Sequence, residues 1–167
     1  FVQVVLEFAQ ASLKLTNMEF IIKCKNKAHE NQVIEYLKGH PHKIKILTSI
    51  GIFDLLSETR SVISFNSLTC LEALLSKAHV YVPHFADSHL PDVQLQITPE
   101  SAKNISGLTF LLKPGDMLKH LESDSKKIQP DTLDVQSRLE LFKQYFHISD
   151  TSSNRENLEN LIGSVME

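Results

Sequence analysis

Residues 61–83 have the sequence SVISFNSLTCLEALLSKAHVYVP, in which a helical pattern separates two short apolar runs. The first run, Ser61 to Phe65, is rich in branched and aromatic residues and predicts a strand. From Leu68 to Ala78 the apolar residues recur every three to four positions, as on one face of a helix. The run from His79 to Val82 predicts a second strand, which Pro83 ends. A strand, a helix and a strand in this order indicate a parallel crossover unit.

The same alternation extends to both sides of this unit. Upstream, the patterns predict a helix, a strand, a helix, a strand and a short helix, at Phe1–Lys14, Met18–Cys24, His29–Lys38, Lys43–Thr48 and Ile52–Ser57. Downstream of a long loop from Pro83 to Ser106, they predict a strand at Gly107–Leu112, a helix at Pro114–Glu122 and two C-terminal helices with apolar faces at Val135, Leu139, Phe142 and Phe146 and at Leu158, Leu161, Ile162 and Val165. We therefore expect one α/β domain over residues 1–167, a Rossmann-like three-layer domain with a mostly parallel sheet and C-terminal helices.

Composition places the chain among ordinary globular proteins. It is 42% hydrophobic with a net charge of -3, and its lysines form no clustered basic face, so we expect no nucleic-acid partner. No apolar run approaches the roughly 18 residues that span a bilayer, so we expect no transmembrane segment, while peripheral membrane association of a full protein stays open. The first residue is Phe1 and no signal peptide is recognisable, which suggests one half of a longer, cytoplasmic protein.

The two cysteines, Cys24 and Cys70, are far apart and lie in apolar contexts. They form neither a disulfide framework nor a zinc signature, so we expect buried free thiols in a reducing compartment. His84, Asp87 and His89 are of metal-ligating types but match no strong motif, and we predict no metal site. A hydrogen bond from His84 to a ligand is the better functional interpretation, and an ordinary polar loop is the structural one.

Polar side chains follow the predicted strands at their carboxyl ends, where open parallel sheets bind ligands. Lys23 and Lys25 alternate at the end of the first strand and could contact phosphate oxygens or simply be solvated. After the second strand, the turn Thr48 to Gly51, which includes Ser49, could present backbone groups to a planar base, or could cap the next helix through Asp54.

The turn from Ser64 to Ser67 leads into a helix, and two interpretations of it stay open. Free N–H groups and the helix dipole at such a position favour an anion, such as a phosphate. Alternatively, Asn66 or Ser67 is an N-cap, and the stretch Thr69 to Glu72 is a capping box that satisfies only the helix itself. The chain has no Gly-x-Ser-x-Gly elbow and no Gly-rich phosphate loop, and its five glycines disfavour classical dinucleotide binding.

Several short motifs occur together in one order. They are Phe20-Ile21-Ile22-Lys23, Asp54-Leu55-Leu56-Ser57, Val62-Ile63-Ser64-Phe65-Asn66-Ser67, Glu72-Ala73-Leu74-Leu75 and Val80-Tyr81-Val82-Pro83. This order resembles the C-terminal half of two-domain, GT-B type glycosyltransferases, and most of all bacterial enzymes of surface and capsular polysaccharide biosynthesis. The likeness covers roughly residues 18–83 and 135–162.

The resemblance implies a transferase domain that binds a nucleotide-sugar as substrate and needs no other cofactor. It implies that the diphosphate contacts Ser64, Asn66, Ser67 and Thr69, that Glu72 holds the ribose, and that Lys25 stands where relatives have a histidine. The full set of expected donor-binding residues is Lys23, Lys25, Ser49, Ser64, Asn66, Ser67, Thr69, Glu72 and His84.

In that family the acceptor site and the catalytic base belong to an N-terminal domain, which this chain lacks. We therefore name no catalytic residue and expect the isolated chain to be inactive. Two alternatives stay open: a domain of a nucleotide-sugar epimerase or glycerophosphate transferase, and a non-catalytic α/β interaction module.

Overall fold

The computed structural model describes residues 1–65, 68–85, 97–100, 102–126 and 134–146. The elements in chain order are α1 (Val2–Lys14), β1 (Phe20–Lys23), α2 (Lys27–Leu37), β2 (Ile44–Leu47), α3 (Ile52–Leu56), β3 (Ser61–Ile63), α4 (Leu68–Leu74), β4 (His79–Pro83), β5 (Leu108–Leu111), α5 (Asp116–Lys126) and α6 (Val135–Phe146). The alternation of strands and helices is therefore confirmed within these residues. The predicted last helix, residues 158–165, lies outside them.

The strands pair in parallel, in two small sheets. In the first sheet Phe20 of β1 lies opposite Ile44 of β2. In the second sheet β4 lies between β3 and β5, with Val80 opposite Val62 on one side and Leu108 on the other. The α/β class with parallel strands is thus confirmed, and the three-layer, Rossmann-like arrangement stays a prediction.

Strand β4 contributes alternate side chains to two apolar clusters. Val80 and Val82 pack with α4 and α6 in the first cluster, which we call the α4 cluster. Tyr81 packs with α1, α2, α5 and residues of β1 and β2 in the second, the α1 cluster. Since successive strand residues point to opposite faces, β4 is buried on both faces, as a strand in a covered parallel sheet should be.

The two ends of helix α2 lie within two residues of their predicted positions, and local contacts explain why. The side chain of Asn26 accepts a hydrogen bond from the His29 N–H at 3.0 Å and caps the start of the helix. At the other end Gly39 has a φ of 78°, a left-handed conformation that glycine adopts without steric cost. The predicted stop at Gly39 is confirmed, and the helix begins at Lys27, two residues before the predicted start.

Helix α4 is shorter than predicted and ends at Leu74 rather than Ala78. The N–H groups of Leu75 and Ser76 donate to carbonyls only three residues earlier, at 3.0 and 3.1 Å, which tightens the last turn. The Ser76 hydroxyl then donates to the Ala73 carbonyl and accepts from the Ala78 N–H, which ends the helix.

The prediction of buried free thiols is confirmed, since Cys24 and Cys70 are both unpaired and buried. Burial in the α4 cluster raises the pKa of the Cys70 thiol to about 12. This thiol therefore stays protonated at neutral pH and is a packing residue rather than a nucleophile. No helix in the described part of the chain is long and apolar enough to cross a membrane.

Candidate functional site

The carboxyl ends of β1 and β2 lie side by side. Lys23 is opposite Leu47, and the next N–H of the first strand, that of Cys24, donates to the Leu47 carbonyl at 2.8 Å. This register places Lys23, Lys25 and Ser49 at one edge of the first sheet, and all three are exposed. They are therefore accessible to a ligand at the edge where parallel sheets bind one.

An open cleft of about 490 Å³ lies at the carboxyl end of β2. Its lining comes from Glu30 on α2, from Ile46 and Leu47, from the turn 48–51, and from Asp54 on α3. This volume is within the range of sites that bind drug-sized molecules. The turn that the sequence singled out for a planar base thus forms much of the cleft wall.

Glu30 is held in one position within this wall. Its carboxylate forms an ion pair with Lys27 and accepts a hydrogen bond from the Thr48 hydroxyl at 2.5 Å. The bond from Lys27, and next the bond from Thr48, hold the pKa of the Glu30 carboxyl below its usual range. The cleft therefore contains a fixed, ionised carboxylate at neutral pH, and the same contacts tie α2 to the turn after β2.

Replacing Thr48 with valine should raise the pKa of Glu30 toward its ordinary value, because one of the two hydrogen bonds to the ionised form is lost. A carboxyl whose pKa is lower in the folded state stabilises the fold above its ordinary pKa, and this contribution is lost as pH falls through the lowered value. The contribution should thus be smaller in Thr48→Val, and its loss on acidification should be complete at a higher pH. Carboxyl ¹³C NMR titration measures the shift, Ser49→Ala is the matched control, and an unchanged Glu30 pKa in Thr48→Val would contradict the bond.

Asp54 lies at the mouth of the cleft, on the first turn of α3. A Cβ atom added at Gly51 would stand 2.6 Å from the Asp54 Oδ2 atom, so the carboxylate folds back over the backbone of Gly51. Within the described residues this carboxylate makes no hydrogen bond or ion pair. The capping role considered for Asp54 is therefore absent, and both of its oxygens are available to a ligand.

The other expected site residues lie at the second sheet. Ser64 is buried just after β3, where its N–H donates to the Tyr81 carbonyl at 3.0 Å. Thr69 and Glu72 are half-buried on α4. Asn66 and Ser67 lie outside the described residues.

His84 follows β4 at the same carboxyl edge. Its N–H donates to the Leu111 carbonyl at 2.8 Å, and its ring packs edge-on against Phe110 with 5.7 Å between centroids. The structure adds a neighbour that the sequence patterns missed, Glu100. Hydrogen bonds from the Glu100 N–H and from Thr98 lower the pKa of the Glu100 carboxyl, and burial opposes them. The charge of His84 lowers this pKa further, so it lies below its usual range.

A sequence signal for Glu100 does exist, because Thr98-Pro99-Glu100 has the threonine, proline and acidic residue typical of a helix start. The weak pattern of the surrounding loop obscured it. Among the described residues no group of three His, Cys, Asp or Glu side chains could hold a metal ion, and Asp87 and His89 lie outside that part.

The expected site residues thus fall into two groups at the carboxyl ends of parallel strands. Lys23, Lys25 and Ser49 accompany the cleft of the first sheet, and the remaining described positions accompany the second sheet. Both sheets contribute to the α1 cluster, and the ring of Phe1 packs against Phe65 at 4.9 Å. Comparison with protein-family models, with curated proteins and with solved structures finds no match to this chain.

Proposed function

We propose that this chain is the donor-binding domain of a GT-B type glycosyltransferase that uses a nucleotide-sugar in surface carbohydrate biosynthesis. The observation that carries the proposal is the cleft at the carboxyl end of β2, with Lys23 at the end of the neighbouring strand and Lys25 two residues beyond it, both exposed. A cleft for an uncharged ring system beside two cations is what a nucleoside diphosphate requires.

The proposal includes a Rossmann-like three-layer arrangement. In support of it, β4 is buried on both faces, and the α1 and α4 clusters draw on different helices. Such an arrangement directs the turns after β1, β2, β3 and β4 to one edge, so a single ligand could contact residues of both sheets.

The phosphates belong near Lys23, Lys25 and the polar residues of the β3–α4 turn, with Glu72 near a sugar hydroxyl. Among the described residues, the cleft is lined by two acidic side chains and no basic one, which disfavours an anionic group inside it. The proposed ligand therefore lies across the edge, with its base in the cleft and its diphosphate toward the second sheet.

A second domain completes the proposed enzyme. Large apolar side chains are exposed at Phe1 and Val2 at the start of α1, Phe53 on α3, Leu68 at the start of α4 and Leu112 after β5, and also at Leu13 and Ile34. Exposed apolar surface is one mark of a region that another protein surface covers. We propose that an N-terminal domain supplies this surface with the acceptor site and the catalytic base, and that the protein is cytoplasmic.

The same exposed side chains favour one competing function, a non-catalytic interaction module. In a module of that kind Thr69 and Glu72 only stabilise α4, so Glu72→Ala should lower stability and no nucleotide should bind. Unchanged stability with weakened nucleotide binding in the same variant would favour the donor-binding domain.

Titration of the domain with uridine, cytidine and guanosine diphosphates, followed by calorimetry and by amide NMR, tests the proposal. At least one of them should bind and perturb residues 46–54. The double variant Lys23→Ala/Lys25→Ala should weaken binding by about 10-fold, since it removes two charged contacts to phosphate. Lys14→Ala/Lys38→Ala, two exposed lysines at the ends of α1 and α2, is the control. If no diphosphate perturbs the cleft, the donor-binding function is wrong.

A further inference from the structure

The cleft at β2 offers hydrogen-bond acceptors in two different states. Glu30 is fixed by Lys27 and Thr48 and forms a rigid wall. Asp54 is exposed and has both carboxylate oxygens available at the cleft mouth. Because an ionised carboxylate only accepts hydrogen bonds, a group that binds there must present donors.

The two oxygens of a carboxylate best match two donors that stand side by side. Guanine presents such a pair, N1–H and the 2-amino group, on one edge. Uracil presents a single N–H between two carbonyl oxygens, which a carboxylate repels. Cytosine and adenine each place a ring nitrogen acceptor beside their amino group. Only guanine therefore offers a two-point, charge-assisted contact to a free carboxylate.

We propose that the cleft is selective for a guanine nucleotide, with Asp54 accepting both hydrogen bonds from the guanine edge. This inference rests on the proposed donor-binding function and specifies the base of the donor. The fixed Glu30 carboxylate prevents the base from shifting toward α2. No basic side chain of the described part of the chain lines the cleft, so Asp54 has no competing partner there.

Gly51 affects the position of the Asp54 carboxylate in the proposed site. Its φ of -64° is accessible to any residue, so the backbone does not require glycine there. A side chain at this position would meet the Asp54 carboxylate at 2.6 Å and displace it. Glycine therefore permits the carboxylate position that the guanine contact needs.

Calorimetric titration with guanosine and uridine diphosphates tests the inference. The wild-type chain should bind guanosine diphosphate about 10-fold or more tightly than uridine diphosphate, the usual effect of a two-point charged contact. Asp54→Asn should reduce this ratio to near one, and Gly51→Ala should reduce it in the same direction. Glu58→Gln, an exposed acid outside the cleft, should leave the ratio unchanged.

The outcomes separate the two proposals. If neither of these nor cytidine diphosphate binds, the donor-binding function is wrong, and the base assignment falls with it. If uridine diphosphate binds as tightly as guanosine diphosphate, or if the guanine preference survives Asp54→Asn, only the base assignment is overturned.

Discussion

Replacing Arg138 with alanine should lower the free energy of unfolding by about 3 kcal/mol, because the side chain joins α6 to the connection between α4 and β4. Arg138 is only 2% exposed. Its guanidinium donates to the Ser76 carbonyl at 2.6 Å and to the Ala78 carbonyl at 2.8 Å. In the alanine variant both carbonyls lose a charged donor inside the α4 cluster, and a cavity replaces the side chain.

The charge on Arg138 opposes part of this stabilisation. Burial lowers the pKa of its guanidinium to about 10, so the group stays charged at neutral pH although its desolvation is unfavourable. Within the described residues the Nε atom has no hydrogen-bond partner. The two carbonyl contacts must therefore offset the cost of burying a cation, which keeps the net effect well below the gross strength of two charged hydrogen bonds.

Two variants separate charge from packing. Arg138→Lys keeps a cation that can donate to a carbonyl and should cost about half as much as alanine. Arg138→Met keeps volume without charge and should also lie between alanine and wild type, because it removes the buried charge together with its bonds. Gln136→Ala, exposed on the same helix, should stay within about 0.5 kcal/mol of wild type. Urea unfolding followed by circular dichroism measures each value; a loss of under about 1 kcal/mol in Arg138→Ala would contradict the anchoring role.

Arg138 also shows where sequence patterns stop being informative. Helical periodicity correctly predicted that Leu139 and Phe142 face the interior. It gave no indication that Arg138 is buried, because the acceptors lie about 60 residues earlier in the chain and a periodic pattern records only apolar positions. The early end of α4 also depends on contacts that a periodic pattern does not record. The Ser76 hydroxyl donates to the carbonyl of Ala73 at the helix end, and the Ser76 carbonyl accepts a hydrogen bond from Arg138.

The candidate site was likewise predictable only in part. The strand ends and their polar turns were predictable, because a strand, a helix and a strand in order imply one edge for all the turns. The cleft beside Ser49 was not predictable, because it depends on a hydrogen bond between Thr48, after β2, and Glu30 on α2. The Asp54 carboxylate lies against Gly51 without forming a capping hydrogen bond, and this too depends on side-chain conformation, which spacing does not specify.

The two ends of the strands have different roles. The expected ligand contacts and the cleft lie at the carboxyl ends. The buried polar anchors lie toward the amino ends, where Arg138 binds the carbonyl of Ala78 just before β4 and where Asp124 binds Ser61, the first residue of β3. Substitutions at the amino ends should therefore change stability without directly changing ligand contacts, which makes them useful controls for binding experiments.

Asp124 is the second anchor, and Asp124→Ala should lower the free energy of unfolding by about 3 kcal/mol. Its carboxylate accepts from the Ser61 hydroxyl at 2.6 Å and from the Tyr81 hydroxyl at 2.7 Å, and the residue is only 2% exposed. An acidic residue in the last turn of α5 is unfavourable with respect to the helix dipole, so its position reflects these tertiary contacts. Alanine leaves two hydroxyl groups without their acceptor beneath the sheet.

Single deletions of the donors should be milder, because each leaves the carboxylate with its other partners. Tyr81→Phe and Ser61→Ala should each cost about 1 kcal/mol, and Asp124→Asn, which keeps one carbonyl acceptor, should cost less than Asp124→Ala. A double-mutant cycle of Tyr81→Phe with Asp124→Ala, measured by urea unfolding, should give a coupling of about 1 kcal/mol, while Ser123→Ala on the exposed face of α5 should have little effect. A coupling near zero would mean that the Tyr81 hydroxyl contributes nothing through Asp124, and that this hydrogen bond does not hold α5 against β4.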